Sequence, residues 1–207
     1  SKPLLIFEPI SIDYPMASIR FHKFAIEGMR DIQKQIKDSK AFYFPYVEES
    51  KGVGDKLLFE LSKDAAVVIT DDYPTYFVPQ MTAEAKGNIK TTYELVDSNG
   101  ILPIRIAEKE YVRAHDFRRF MHKNIEDFLV EFPVENPLDY LNIQFDYKIL
   151  ESLIKKYNLQ DFNDINVQKF LDNLSVDKSV EVSEIVGGYD AAKSRLDYFT
   201  KKGFNDY

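Results

Sequence analysis

Four short apolar runs punctuate the first hundred residues, and each breaks off into polar or turn-forming residues. They are LLIFE (4–8), ending in Glu8 and Pro9, AFYFPYV (41–47), AVVIT (66–70), ending in Asp71 and Asp72, and TYELVD (92–97), running into Ser98 and Asn99. Runs of four or five residues rich in Val, Ile and aromatics suit strands buried on both faces, as in a parallel sheet. Pro45 inside the second run fits an edge position or a strand end. Between the runs the spacing turns helical. Residues 18–37 carry Phe21, Ala25, Gly28, Met29, Ile32 and Ile36 as one apolar stripe, with Ser18 placed to cap the start. Residues 52–64 read as a helix after a Gly-rich entry, and Pro74 suits the first position of a helix over 74–86.

The order βαβαβαβ predicts an α/β fold: a Rossmann-like, mostly parallel sheet with right-handed crossovers, flanked by helices. Beyond about residue 110 the pattern becomes a helical tail. HDFRRFMHKNIEDFLVEF (115–132) is amphipathic, Pro133 and Pro137 bracket a linker, and 147–157, 166–174 and 187–204 have helical spacing, while 178–185 could be extended. The expected division is an α/β domain over 1–110 and a linker with helices over 111–207. There is no internal repeat.

Composition narrows the classes. The chain has 207 residues, 44% of them hydrophobic, which is enough for a core. No apolar run is long enough to cross a bilayer, and the start, Ser1-Lys2-Pro3, shows no signal-peptide pattern. No membrane is expected, and a cytoplasmic location is. Zero Cys removes disulfides, thiolate chemistry and Cys-based zinc sites. The net charge of −7 argues against a broad nucleic-acid-coating surface and leaves room for a local basic groove.

Candidate chemistry centres on the polar residues after the strands, because open α/β sheets bind ligands at strand carboxyl ends. Glu8, Asp71, Asp72, Asp97 and Asn99 are therefore the candidate cofactor-binding residues. Two plainer roles compete. Asp72 can cap a helix starting at Pro74 while Asp71 is solvated, and Asp97 with Asn99 can hold the turn before Gly100. No catalytic residue is assigned. No metal site is expected: His22, His115 and His122 are far apart or seven apart, and surface or packing roles suit them better. There is no nucleophile elbow and no phosphate-binding G-x-x-x-x-G-K, and Gly52-Val53-Gly54 precedes a strand instead of following one. Arg118, Arg119, His122 and Lys123 form a local basic cluster that could face phosphates or be a solvated face partnered by Glu126 and Asp127.

Several stretches resemble the DNA photolyase/cryptochrome family. KPLLIFEPISIDYPMASIRFHKFAIEGM (2–29) resembles the second strand and following helix of a photolyase N-terminal domain. AVVITDDYPTYFVPQM (66–81) and VDSNGILPIR (96–105) resemble the next strands with their rim loops. Val96, Asp97 and Asn99, with Pro103 displaced by one place, are similar to a V-D, N, P stretch of class II photolyases. HDFRRFM (115–121) and EDFLVEFP (126–133) resemble the exit from that domain, and GGYDAAKSRLDYF (187–199) the start of the helical, flavin-binding domain. The likeness runs in order over nearly the whole chain.

The resemblance implies a flavoprotein that splits pyrimidine dimers in damaged DNA by light, using reduced FAD. It also implies a chain cut at both ends, lacking a first strand and helix and the helices that cradle FAD. FAD is then expected in the full-length protein and not in this chain, an antenna chromophore is possible, and the chain alone is expected to be inactive as a lyase. A missing central strand would leave 4–8 and 66–70 on either side of a gap or paired directly, with an exposed edge open to self-association. Helices at 147–157 and 188–202 would expose Leu150, Ile154, Leu196 and Phe199. The alternative is a photolyase-like binding or interaction module without light chemistry.

Overall fold

The structure is a computed structural model that describes residues 2–54, 56–130, 132–159 and 161–204. The parts of the expected 52–64 and 115–132 helices that fall on Asp55 and Glu131 lie outside the described residues, as do Ser1 and Tyr207. The chain is mixed α/β. Strands β1 (Leu5–Ile10), β2 (Phe42–Val47), β3 (Val67–Asp71) and β4 (Thr92–Val96) arise where the apolar runs place them. The helices are α1 (Ile19–Ile36), α2 (Leu57–Ser62), α3 (Val78–Asn88), α4 (Ala114–Asn124), α5 (Glu151–Lys156), α6 (Val167–Asn173) and α7 (Tyr189–Tyr198).

Among the described residues all strand pairing is parallel, as the helix-length connections require. The expected single sheet is not formed. β1 pairs with β2, from Leu5 opposite Phe42 to Ile10 opposite Val47, and β3 pairs with β4, from Val67 opposite Thr92 to Asp71 opposite Val96. Apolar runs identify strands but not neighbours. Among the described residues each strand has one hydrogen-bonded partner strand, so each keeps an edge without a strand partner. Contacts divide the chain into two compact units, Ser1–Asp55 with Asn136–Tyr207, and Lys56–Glu135.

The first unit holds the deep core. The face of α1 carrying Ile19, His22, Ile26 and Met29 is buried. Ile19, Ile26 and Met29 pack with Val47 at the end of β2 and with Phe162, Leu171 and Leu174 from α6 and its approaches. This is not the expected stripe: Phe21 is 54% exposed. The buried face shares Met29 with that stripe and adds Ile19, His22 and Ile26, so His22 has a packing role. Ser18 does cap α1, accepting from the Phe21 N–H. β2 is buried although it has one strand neighbour, because the Phe42 ring stacks on Phe145 and Tyr147 and the Tyr46 ring meets Tyr157 edge-on. Leu150, expected to be exposed, is buried, whereas Leu196 and Phe199 do face solvent.

The start of α7 is tied to α1. Glu27 accepts from the Gly187 N–H at 2.7 Å and Asp31 from the Asp190 N–H at 3.2 Å, so two α1 carboxylates serve the α7 amino end. Both glycines are needed. A Cβ on Gly187 would lie 2.1 Å from the Phe24 carbonyl oxygen, and Gly188 has φ +98° with Asp31 against its Cα.

The second unit follows the expectation of doubly buried strands least. Val67 and Ile69 on β3 are 40% and 60% exposed and Val96 on β4 is 49% exposed. α3 contributes no buried residue that would cover them. α3 also starts at Val78, not at Pro74, because Tyr76 adopts φ +58° and breaks helical continuity. The helix expected at 115–132 tightens into a 3-10 turn at Ile125–Phe128. Residues 178–185 form no strand; near them Asp177 makes an isolated bridge to Ser18.

The glycine clasp gives a stability prediction. Gly187→Ala and Gly188→Ala should each lower stability by about 1–3 kcal/mol. Gly28→Ala, inside α1 where a Cβ meets nothing within 4 Å, should raise it by about 0.5–1 kcal/mol. Urea unfolding followed by circular dichroism reads both signs.

Candidate functional site

Four of the five candidate rim residues come together at the carboxyl ends of β3 and β4. β3 ends at Asp71, and the Asp72 N–H donates to the Val96 carbonyl at 2.8 Å, extending the ladder by one bond. From there the rim is tied by side chains. Ser98 Oγ donates to Asp71 Oδ1 at 2.5 Å, and Asn99 Nδ2 donates to the Asp72 carbonyl at 2.7 Å and to Asp97 Oδ1 at 3.2 Å. Asp97 also accepts from the Asn99 N–H at 3.3 Å and from the Ile104 N–H at 2.7 Å, closing the loop 97–104. Asp72 does not cap a helix: its Oδ2 takes both Nε and Nη2 of Arg105 at 2.6 Å, and the N-cap position of α3 is Phe77.

These bonds fix the electrostatics. The Ile104 N–H, then the Asn99 side chain, hold the Asp97 carboxyl below its usual range. The turn-holding role of Asp97 and Asn99 is thus built into the geometry. Acceptors remain for a ligand: the Asn99 carboxamide oxygen and Asp71 Oδ2 take no hydrogen bond from the described residues.

Glu8 belongs to the other compact unit. β1 runs on through Pro9 to Ile10, so Glu8 lies within the strand and not at its end. Its carboxylate accepts from the Tyr43 hydroxyl on the neighbouring strand. Burial first, and then that bond and charge, push the Tyr43 phenol well above its ordinary range. At the true ends of β1 and β2 stands Glu48, 4% exposed, accepting from Ser11 Oγ at 2.7 Å and the Ile12 N–H at 3.2 Å. The sequence reading missed it; the polar break at Ser11 and Glu48, one residue past Ile10 and Val47, was the available signal. Nearby, Gly54 packs its Cα against the Tyr46 ring, a close approach that explains the glycine without a phosphate. His22 is fully buried. Its Nδ1 lies 2.9 Å from the Ser18 carbonyl and so carries the donating proton, while Nε2 has no hydrogen-bond partner among the described residues.

A second candidate lies at the start of α4. A cavity of about 580 Å³ is lined by Lys109, Glu110, Tyr111, Arg113, Asp116 and Arg119. Of the basic cluster singled out in the sequence, Arg119 reaches it; Arg118, His122 and Lys123 are exposed along the same helix. None of the four pairs with Glu126 or Asp127. Among the described residues no group of three His, Asp or Glu side chains could hold a metal ion, and no helix is long and apolar enough to cross a membrane.

No family model matches the chain. Among curated proteins it is similar to a deoxyribodipyrimidine photo-lyase of Methanothermobacter thermautotrophicus, 27% identical over 130 residues. The match covers 62% of this chain and 28% of that protein, so the chain spans well under a third of the relative's length. This supports a photolyase-like relationship.

Two pH effects should follow. Asp97 has a depressed folded-state value, so its contribution is present above the ordinary carboxylate range and fades as pH falls through that depressed value. Hydrogen exchange should show protection of the Ile104 amide falling there, and Asp97→Asn should remove that dependence. Tyr43 has a raised value, so its contribution is full below the ordinary phenol value of about 10 and is lost as pH rises beyond it. Tyr43→Phe should flatten the alkaline limb of a denaturation midpoint plotted against pH.

Proposed function

We propose that this chain is the α/β portion and the first helices of a photolyase-like flavoprotein that repairs pyrimidine dimers in DNA with light. The observation that carries this reading is the match to a deoxyribodipyrimidine photo-lyase over 130 residues. The parallel β-α-β pairs, β1-α1-β2 and β3-α3-β4, support it. In this proposal the module boundary lies near residue 110, damaged DNA is the partner of the whole protein, and the location is cytoplasmic. The open edges of β1 and β3 invite pairing with a further strand or a second copy.

FAD is the cofactor of the whole protein in this reading, where it would supply the electron that opens the dimer. Neither of the two cavities found among the described residues fits a flavin. A flavin ring asks for an enclosed, mainly apolar slot. The cavity at α4 sets Tyr111 and Val112 among the charged Lys109, Glu110, Arg113, Asp116 and Arg119, and a second one of about 390 Å³ sets Phe59 and Ala65 among Ser62, Lys63, Lys90 and Thr91, so polar and charged groups make up most of both walls. No chemical step is therefore assigned to residues here. For an antenna chromophore the rim at Asp71, Asp72, Asp97 and Asn99 is the proposed place, with the free Asn99 oxygen as an acceptor for a heteroaromatic ring edge; Glu8, held by Tyr43, is the least available of the five. A second reading, a binding module without light chemistry, is favoured by the number of rim groups already bonded within the chain.

The test compares this chain with the longest product of its gene. That product should purify with flavin absorption and, under blue light, restore dimer-containing DNA, while the 207-residue chain with added flavin should repair no more than flavin alone. A colourless longer product, or repair by the isolated chain, would overturn the proposal. In the longer product, unchanged pigment occupancy in Asn99→Ala would leave Asn99 with the turn role only.

A further inference from the structure

The cavity at the start of α4 concentrates positive charge in a chain whose net charge is −7. Lys109, Arg113 and Arg119 line it, Lys123 lies one turn beyond Arg119 on the same helix face, and Arg118 is exposed on the adjoining one. Those five cations stand against Glu108, Glu110 and Asp116 over residues 108–123, a local reversal of sign. The cations are little used within the chain. Arg119 makes no hydrogen bond or ion pair among the described residues, and Arg113 has one loose contact with Asp116, 3.9 Å long. An exposed pair of that length contributes little.

Aromatic surface sits in the same wall. Tyr111 is braced by Phe117 and Phe120, with ring centroids 5.5 and 5.2 Å away, and carries the Lys109 ammonium 5.5 Å from its own centroid. A ring fixed in this way costs little further entropy when a base stacks on it. Guanidinium groups offer planar forks that match phosphate oxygens. The volume of about 580 Å³ lies within the ~300–1,000 Å³ span of small-ligand clefts. We propose that this cavity binds a phosphodiester of single-stranded nucleic acid, with Arg113 and Arg119 on the phosphate and Tyr111 against an adjoining base. The proposal rests on the DNA-repair reading for which nucleic acid is met in the cell, and on the cavity alone for the contact itself.

The experiment is fluorescence anisotropy of the 207-residue chain with a fluorescein-labelled oligothymidylate at several salt concentrations. Arg113→Ala and Arg119→Ala should each weaken binding about tenfold and lower the slope of log affinity against log salt by about 1. Lys201→Ala, the same single-charge change outside the cavity, should leave affinity within about twofold. Tyr111→Ala should weaken the oligonucleotide and leave competition by inorganic phosphate unchanged; equal loss of both would assign the site to free phosphate instead. Circular dichroism of each variant checks folding, and if Tyr111→Ala unfolds, Tyr111→Leu keeps the bulk without the π face. No measurable oligonucleotide binding, or equal losses in the arginine and lysine variants, would overturn the proposal. Failure of flavin loading or dimer repair in the longer product would leave these results standing, so the two readings fail separately.

Discussion

The first unit depends on burying one face of α1. Ile26 and Met29 are fully enclosed, and so are Phe162 and Leu171, which meet that face from the far end of the sequence. Each such side chain contributes about 1.5–3 kcal/mol relative to exposure. Everything else in the unit is arranged around this contact. β2 brings Val47 to it, the Gln33 side chain accepts from the Phe162 N–H at 3.0 Å, and Glu27 and Asp31 hold the start of α7. Removing the partners from 162–174 would leave α1 with a bare apolar stripe on a two-stranded sheet, a size that is at best marginal in water.

Strand identity and parallel pairing were legible in the sequence because short β-branched runs separated by helix-length segments have few other readings. Sheet continuity was not, since an apolar run does not name its neighbour. The stripe of α1 was only partly legible, because apolar residues lie on more than one side of the helix and periodicity alone did not select Ile19 and Ile26 over Phe21. At the rim, clustering of Asp71, Asp72, Asp97 and Asn99 was legible from their shared position after strands. Their bonding was not: the partner of Asp72 is Arg105, more than thirty residues away, and only the folded loop brings it within 2.6 Å. Glu8 misled because the proline after it looked like a strand end, while an edge-tolerant strand carried on to Ile10.

The two candidate regions of the second unit contrast in how their charges are spent. At the rim, carboxylates are matched to backbone N–H groups, a serine, an asparagine and an arginine, which is what a loop needs to keep one shape. At the start of α4, cations stand beside aromatic rings without such matching. The side chain of the N-cap residue there, Arg113, makes no capping hydrogen bond. A loop that satisfies itself and a cleft that does not are different kinds of surface, even a few turns apart in sequence.

The core of the first unit is discontinuous in time as well as in sequence. Gln33 must wait 129 residues for Phe162, and Glu27 waits 160 for Gly187. On a ribosome making about 5–20 residues per second, β1, α1 and β2 emerge seconds before the residues that cover them. During that interval the stretch 56–135, whose strand pairing is local, can form first. The α1 face is meanwhile an exposed apolar surface on a nascent chain, which makes this segment the natural point of engagement for chaperones and the point at which an early stop in translation would leave the most aggregation-prone product.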